Sequence, residues 1–198
     1  MTTTEIIRTN LRRYTFESPK IKKWVEDNSY GKCLNLFAGT TKLNLDEVRN
    51  DIDENALADY NVDAVDFVKD WDGHKFDTII LDPPYAYRKA MEMYKGNYTS
   101  RFKLLADLIP LILNEGGKVI SLGYHSTFLG KVRGFELDKL CVFAHGGAQH
   151  CTIGIIEMVT LNAGKETKVK DLRFIGKENK LKEIDKLIED NDEFIRSL

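Results

Sequence analysis

Short runs of apolar and β-branched residues, each bounded by polar or glycine-containing turns, recur along most of the chain. Runs of about four to eight such residues are typical of strands that lie buried in a sheet. They predict strands at residues 32–37, 47–50, 60–62, 76–81 and 118–122, of which the 60–62 run is the shortest. Two further runs, at 139–143 and 152–159, flank Gly146 and Gly147 and predict a hairpin across that turn.

Four stretches carry the signals of helices. Ser18 followed by Pro19 is a typical helix start, because serine caps the first turn and proline needs no donor there. Residues 63–68 predict a turn that enters a short helix, and residues 101–113 predict a longer helix. Leucine and isoleucine at helical spacing within 181–188 predict an amphipathic helix near the end of the chain.

Strands and helices alternate up to the hairpin, which predicts an α/β fold with a mostly parallel sheet and the hairpin as its antiparallel edge. We expect one domain over residues 1–164, with a helical N-terminal segment, and a charged extension over 165–198. Only nine residues separate Phe37 from the second strand, whereas a parallel crossover normally needs about a dozen. Helices on one face are therefore trimmed, and the N-terminal segment, the C-terminal helix or a partner subunit, such as a second copy in a homodimer, must cover that face.

Composition narrows the classes of protein to which the chain can belong. A formal net charge of −2 over 198 residues does not indicate a strongly basic nucleic-acid binder, but it leaves room for local basic patches. We see no secretory signal and no run as long as a membrane span, so we expect a cytoplasmic protein with no membrane partner. Cys33, Cys141 and Cys151 follow no disulfide or metal-binding spacing, and we expect buried thiols and no metal site.

The most specific feature of the sequence is Asp82-Pro83-Pro84-Tyr85, which directly follows the apolar run 76–81. Proline has no N–H donor, so a central strand must end there. In an open α/β sheet, ligands bind at the carboxyl ends of the strands. The two prolines fix the local backbone. An acid beside an aromatic ring is suited to bind the exocyclic amino group of a planar base.

Three earlier positions place ligand-binding residue types after strands in the same way. The first strand opens into a small-residue turn, whose candidates are Asn35, Phe37, Ala38, Gly39 and Thr40. A glycine there lets the backbone approach a ligand closely. Asp51, after the second strand, can accept hydrogen bonds from both hydroxyls of a ribose, or it can be a solvated turn residue. Asp63, before Ala64, can accept from an adenine amino group, cap the following helix, or do both.

The order Leu36-Phe37-Ala38-Gly39, Asp51, Asp63-Ala64, Asp82-Pro83-Pro84-Tyr85 resembles that of the S-adenosylmethionine-dependent amino-methyltransferases with an Asp-Pro-Pro-Tyr motif. Members of that family methylate N6 of adenine or N4 of cytosine, and their ribosomal RNA relatives methylate N2 of guanine. The resemblance covers about residues 18–159. It implies a class-I, Rossmann-like methyltransferase fold and S-adenosyl-L-methionine as the cofactor.

The resemblance also implies a role for each matching position. Residues 37–39 would line the methionine end of the cofactor, Asp51 would bind its ribose and Asp63 its adenine. Residues 82–85 would hold the target amine, with acceptors that free the nitrogen lone pair for attack on the methyl group. The segment 16–24 lies where the family has a further cofactor-contacting stretch.

Residues around the same rim are candidates for substrate contacts, and they are Tyr87, Arg88, Lys89, Tyr124 and His125. For the first three, a solvated amphipathic helix is the alternative, and for His125 a capping or loop role. We expect site-specific methylation of N6 of adenine in DNA, with an RNA base (guanine N2 or adenine N6) as the alternative. Gly39 is followed by Thr40-Thr41-Lys42, so the usual second glycine of the cofactor loop is missing, which leaves open a non-catalytic nucleic-acid-binding or scaffold protein that retains the fold.

Overall fold

The computed structural model describes residues 2–84, 102–126, 128–147 and 149–160. In chain order, the strands and α-helices of these residues are β1 (Thr3–Arg8), α1 (Pro19–Asn28), β2 (Cys33–Asn35), β3 (Glu47–Arg49), α2 (Ala64–Asp70), β4 (Phe76–Leu81), α3 (Phe102–Ile112), β5 (Leu113–Gly123), β6 (Phe135–Ala144) and β7 (Thr152–Val159). Single turns of 3-10 helix lie at Thr15–Glu17, Glu54–Ala56 and Lys131–Arg133. The extension predicted at 165–198, with its amphipathic helix, lies outside the described residues, so the domain boundary stays a prediction.

All seven strands belong to one sheet, in the order β1-β6-β7-β5-β4-β2-β3. β7 is antiparallel to both of its neighbours, and every other pairing is parallel. The mostly parallel sheet with an antiparallel hairpin is therefore confirmed. The hairpin does not form the edge, however, because β1 adds a parallel strand outside β6, from Thr3 opposite Lys139 to Arg8 opposite Ala144.

The N-terminal segment is only partly helical. Residues 3–8 form β1, a strand that the sequence pattern does not predict. Threonine and isoleucine dominate these residues, and β-branched side chains favour strands because their first side-chain torsion is restricted. The predicted start of α1 is confirmed, since the Ser18 hydroxyl accepts from the Ile21 N–H at 3.4 Å and Pro19 opens the helix.

The predicted strands differ from the observed ones mainly at their ends. β4 and β7 have the predicted bounds, β2 is shorter than predicted, and β5 and β6 are longer. The 60–62 run does not form a strand, and Tyr60 makes only an isolated parallel bridge to Asn50. The sheet is therefore reduced beyond β3, on the side where the crossover connections are short.

Each face of the sheet has its own apolar core. On one face, buried side chains such as Leu34 and Ile79 pack against α2 and α3. On the other face, Trp24 and other apolar residues of α1 pack against the central strands, together with Leu43 from the loop before β3. Three alternative covers were expected for the trimmed face of the sheet. Within the described residues, the N-terminal segment covers it, and an apolar loop takes the place of a crossover helix.

The cysteines follow the prediction in two cases out of three. Cys33 and Cys141 are buried, whereas Cys151 is exposed just before β7, so the expectation of burial is wrong for that thiol. No helix in the described part of the chain is long and apolar enough to cross a membrane.

Candidate functional site

The carboxyl ends of β2, β3 and β4 open onto one cleft. The cleft occupies about 710 Å³, including its open mouth. Its lining residues are Tyr14, Phe16, Leu36, Phe37, Ala38, Gly39, Thr40, Thr41, Asp51, Ile52, Asp63, Ala64, Asp82 and Pro84. Most of the positions singled out in the sequence therefore meet at one place, although they are spread over almost fifty residues of the chain.

The turn after β2 is held from both sides of Gly39. Its N–H donates to a carboxylate oxygen of Asp51 at 2.7 Å, and its carbonyl accepts from Nη2 of Arg49 at 2.8 Å. Gly39 has φ +54, and a Cβ added there would meet no atom within 4 Å. Glycine thus serves backbone conformation at this position, and the turn is fixed by side chains of β3 and of the residue two beyond its end.

Asp51 combines a structural bond with a place in the cleft lining. Only 8% of the residue is exposed, and its second carboxylate oxygen accepts from the Asp53 N–H at 2.9 Å. An ionised carboxylate has about four acceptor positions. Asp51 can therefore hold the Gly39 turn and still accept from a ligand.

A buried polar cluster of Asn35, Glu47 and Arg49 lies beneath this turn. The side chain of Glu47 is fully buried and that of Arg49 is 10% exposed, with Nε of the arginine 3.6 Å from the Glu47 carboxylate. Glu47 also accepts from the Leu43 N–H at 3.0 Å and from the Asn35 amide at 3.2 Å. Burial raises the pKa of Glu47 above its ordinary value. The cluster fixes the loop between β2 and β3, where a crossover helix would otherwise do so.

Asn35 differs from the other candidates in that turn. It is fully buried with its amide directed to Glu47, and it is not among the residues that line the cleft. Its side-chain oxygen, Oδ1, has no hydrogen-bond partner within the described residues. The structure therefore places Asn35 in the support beneath the cleft, whereas Phe37, Ala38, Gly39 and Thr40 lie in its wall.

Asp63 caps α2 and also lies in the wall of the cleft. One of its carboxylate oxygens accepts from the Val65 N–H at 2.8 Å and from the Asp66 N–H at 3.4 Å, which caps α2. Asp63 and Ala64 also line the cleft. The N-cap geometry fixes the carboxylate at the rim without removing it from the ligand space.

The Asp-Pro-Pro-Tyr turn begins where β4 ends, at Leu81. Asp82 lines the cleft, Pro83 faces a second cavity, and Pro84 separates the two because it lines both. Tyr85, Tyr87, Arg88 and Lys89 lie outside the described residues, so their roles remain predictions.

The second cavity lies between α3, the carboxyl end of β5 and the loop that follows it. It occupies about 950 Å³, including its opening. His125 and Arg133 line it, together with the hydroxyl-bearing Ser121, whose buried Oγ has no hydrogen-bond partner in the part of the chain that the structure describes. Tyr124 is 42% exposed, and its ring centroid lies 6.0 Å from that of His150. Of the two rim candidates, His125 therefore reaches a cavity, while Tyr124 lines neither.

The loop over the second cavity is anchored by a buried carboxylate. Glu157 of β7 is 1% exposed, and its oxygens accept from the backbone N–H groups of residues 128–130 at 2.8–3.0 Å. Three N–H donors around one carboxylate stabilise its negative charge. The sequence gives no local signal for this anchor, because Glu157 sits inside an apolar strand pattern.

Two aromatic residues of the cleft, Tyr14 and Phe16, come from the segment between β1 and α1. Sequence reasoning marks the stretch 16–24 as a match to a cofactor-contacting segment, but it does not single out Tyr14. Both residues could be assigned to the cleft only if it were known that this segment crosses the carboxyl edge of the sheet. That crossing depends on β1, which the sequence pattern does not predict.

No family model matches the chain, and no curated protein matches it. Similar folds do exist among solved structures. The N-methyltransferase NodS from Bradyrhizobium japonicum is 11% identical with a TM-score of 0.52, and the match covers 76% of this chain and 99% of NodS. A protein from Streptococcus mutans described as a SAM-dependent methyltransferase is 15% identical with a TM-score of 0.51, covering 71% of this chain and 48% of that one.

TrmN from Thermus thermophilus is 18% identical with a TM-score of 0.50, and the match covers 72% of this chain and 49% of TrmN. The matched part thus spans about half the length of TrmN and of the S. mutans protein. At these identities the likeness concerns the fold alone. The chain therefore has the class-I, Rossmann-like methyltransferase fold, as the sequence predicts.

Proposed function

We propose that the cleft binds S-adenosyl-L-methionine and that the protein transfers its methyl group to the exocyclic amino group of a nucleic-acid base. One observation carries the proposal. The fold brings the Gly39 turn, Asp51, Asp63 and Asp82 into a single cleft at the carboxyl edge of the sheet, which is where such folds bind nucleotides. The S. mutans neighbour and NodS, as a SAM-dependent methyltransferase and an N-methyltransferase, support the same reaction class.

The residues of the cleft fit the parts of this cofactor. The aromatic rings of Phe16 and Phe37 give apolar surface, and the small Ala38 and Gly39 leave room for the methionine end. Asp51 has acceptor capacity left for ribose hydroxyls after its two backbone bonds. Asp63 at the rim is the acceptor proposed for the adenine amino group.

The bound cofactor supplies an electrophilic methyl group on a positively charged sulfur. The nitrogen–carbon bond to the base would form as the sulfur–carbon bond breaks, and the two electrons of the broken bond would remain on sulfur. The Asp82 carboxylate and the Pro83 carbonyl are proposed to accept from the target amine, which directs its lone pair to the methyl group. The surplus proton leaves the nitrogen to Asp82 or to water. A base in a duplex would need to be flipped out, with Tyr85 stacking on it.

Adenine N6 in DNA is the first substrate to test, and an RNA base, guanine N2 or adenine N6, is the second. A non-catalytic scaffold is the alternative of another class. It is favoured by one observation, namely that Gly39 is followed by Thr40, Thr41 and Lys42, so the usual second glycine of the cofactor loop is missing.

Calorimetric titration with S-adenosylmethionine and S-adenosylhomocysteine tests the cofactor site. We expect binding by the wild type, a loss of about tenfold or more in Asp51→Ala because buried bonds to the ribose and to Gly39 are removed, and no loss in Asp46→Ala. Asp46 is a matched control, since its carboxylate is 79% exposed at the opposite edge of the sheet. Failure of the folded wild type to bind either compound would contradict the proposal and favour the scaffold.

Transfer of a radiolabelled methyl group to DNA and to RNA then tests the reaction. We expect Asp82→Ala to abolish transfer, with calorimetry as the check that the cofactor still binds. Unchanged transfer in Asp82→Ala would show that the Asp-Pro-Pro-Tyr turn is not the catalytic site.

A further inference from the structure

Positive charge is concentrated in one short part of this acidic chain. Residues 8–23 contain six lysines and arginines and one acid, Glu17. The rest of the chain contains 23 Lys or Arg against 30 Asp or Glu, a formal charge of −7. Such a local concentration of one sign in a chain of opposite net charge is a typical mark of a surface that binds a polyanion.

The fold places this segment beside the candidate active site. β1 runs parallel to β6, and through β6, β7 and β5 it has the same direction as β4. Arg8, the last residue of β1, therefore lies at the same edge of the sheet as the cleft. The following residues cross back along this edge, because Tyr14 and Phe16 line the cleft. Four strand spacings separate β1 from β4, a distance of roughly 19 Å.

The cations of the segment fall into two groups. Lys22 and Lys23 are paired along α1 with Glu26 at 3.8 Å and Asp27 at 2.8 Å. Their charges are already balanced, so they are poor candidates for binding an anion.

The second group consists of Arg8, Arg12, Arg13 and Lys20, all of them exposed. None of the four takes part in an ion pair within the described residues. The Lys20 ammonium donates to the Arg8 carbonyl at 2.7 Å, which joins the two ends of the group. The Arg13 guanidinium lies over the ring of Tyr14, 5.4 Å from its centroid, at the mouth of the cleft.

We propose that Arg8, Arg12, Arg13 and Lys20 form a basic strip that binds the phosphodiester backbone of the nucleic-acid substrate. The identity of the partner rests on the function proposed above, and the strip deepens it by giving the substrate a path to the cleft. Arginine suits this task because its planar guanidinium pairs with phosphate oxygens through two hydrogen bonds. Backbone contacts of this kind position a substrate without reading its sequence.

The test uses fluorescence anisotropy with labelled single-stranded 20-nucleotide DNA and RNA of the same sequence. Arg12→Glu/Arg13→Glu is compared with Lys69→Glu/Lys75→Glu, which changes the charge equally at exposed positions of the opposite edge. We expect the first variant to bind roughly tenfold or more weakly at low salt, and its salt dependence to fall by about 1.4 in slope, or about 0.7 for each lost contact. The control variant should bind like the wild type.

Each outcome decides the proposal. The proposal would be overturned if the two double variants bound nucleic acid equally well. It would also be overturned if the wild type bound neither the DNA nor the RNA. Tighter binding to phosphatidylserine vesicles than to both nucleic acids would also overturn it, in favour of a membrane surface. The comparison of the DNA and RNA arms tells which phosphodiester is preferred. Calorimetry with S-adenosylmethionine separates the two proposals, since a strip that binds nucleic acid in a protein without cofactor affinity would stand while the proposed function failed.

Discussion

The buried pair of Glu47 and Arg49 makes a sharp prediction about stability. Arg49→Met removes the positive charge and the two hydrogen bonds of Arg49 to the carbonyls of Leu57 at 3.2 Å and Gly39 at 2.8 Å. It leaves the fully buried Glu47 carboxylate without its counter-ion. Breaking a buried pair in this way costs about 3–5 kcal/mol, a large share of the stability of a typical domain. We expect the free energy of unfolding in urea at pH 7 to fall by about that amount.

The stability loss caused by Arg49→Met should depend on pH, and the pKa of Glu47 gives the direction of that dependence. Burial already raises the pKa of Glu47, and loss of Arg49 must raise it further. A carboxyl group whose pKa is higher in the folded state stabilises the fold below its unfolded pKa, and this contribution is lost as pH rises through the folded pKa. The deficit of Arg49→Met should therefore be smaller at pH 4.5 than at pH 7.

A double-mutant cycle isolates the pair. In Glu47→Gln the buried charge is gone, so adding Arg49→Met to that background should cost about 1–3 kcal/mol less than in the wild type, as expected for coupled neighbours. An equal cost in both backgrounds, together with an equal deficit at both pH values, would refute the electrostatic reasoning. Arg49 would then act only through its packing and its carbonyl bonds.

Three further predictions concern the rest of the domain. Glu157→Gln keeps the shape of the side chain but places amide hydrogens against backbone donors. We therefore expect the free energy of unfolding in urea to fall by about 1–3 kcal/mol, and a fall under about 0.5 kcal/mol would argue against the anchor. Gly154→Ala should lower stability by about 1–3 kcal/mol, because the new Cβ would lie 3.0 Å from two aromatic rings; an unchanged melting temperature would contradict this. At pH 8, Ellman's reagent should modify Cys151 quickly and spare Cys33 and Cys141, because burial raises the pKa values of these two thiols to about 11 and about 12. Cys151→Ser should remove the fast phase. Equal reaction rates of all three thiols in the folded protein would contradict the burial of Cys33 and Cys141.

The sequence was sufficient for the parts of the fold that depend on local pattern. The β4 run followed by Asp82 and two prolines marks a buried strand and its end unambiguously, and Ser18-Pro19 marks the start of α1. The location of the cleft followed, because parallel strands bring their carboxyl ends together. β1 was missed because its partner, β6, is distant in sequence and a six-residue edge strand carries little apolar signal of its own.

For the candidate site, the sequence predicts the residue types at the strand ends but not the contacts that these residues make. Residue type and position predict Asp51 as a ligand acceptor, but its bonds to the Gly39 and Asp53 N–H groups depend on how two loops meet. Asn35 was grouped with the cleft because it belongs to the same strand end, whereas the alternation of side chains along β2 turns it to Glu47 instead. Contacts between distant segments decided each case, and a single sequence does not contain them.

The pairing of β1 with β6 has a consequence for the order in which the domain can assemble. Thr3 lies opposite Lys139, so the first strand of the chain waits for a partner 136 residues away. Contacts of such long range form late, because the intervening chain must first lose its freedom. During synthesis, β2 to β4 and the two helices that precede β4 emerge well before β6. The basic strip and the aromatic wall of the cleft, which depend on β1 for their place at the edge, would thus be completed in the last step of folding.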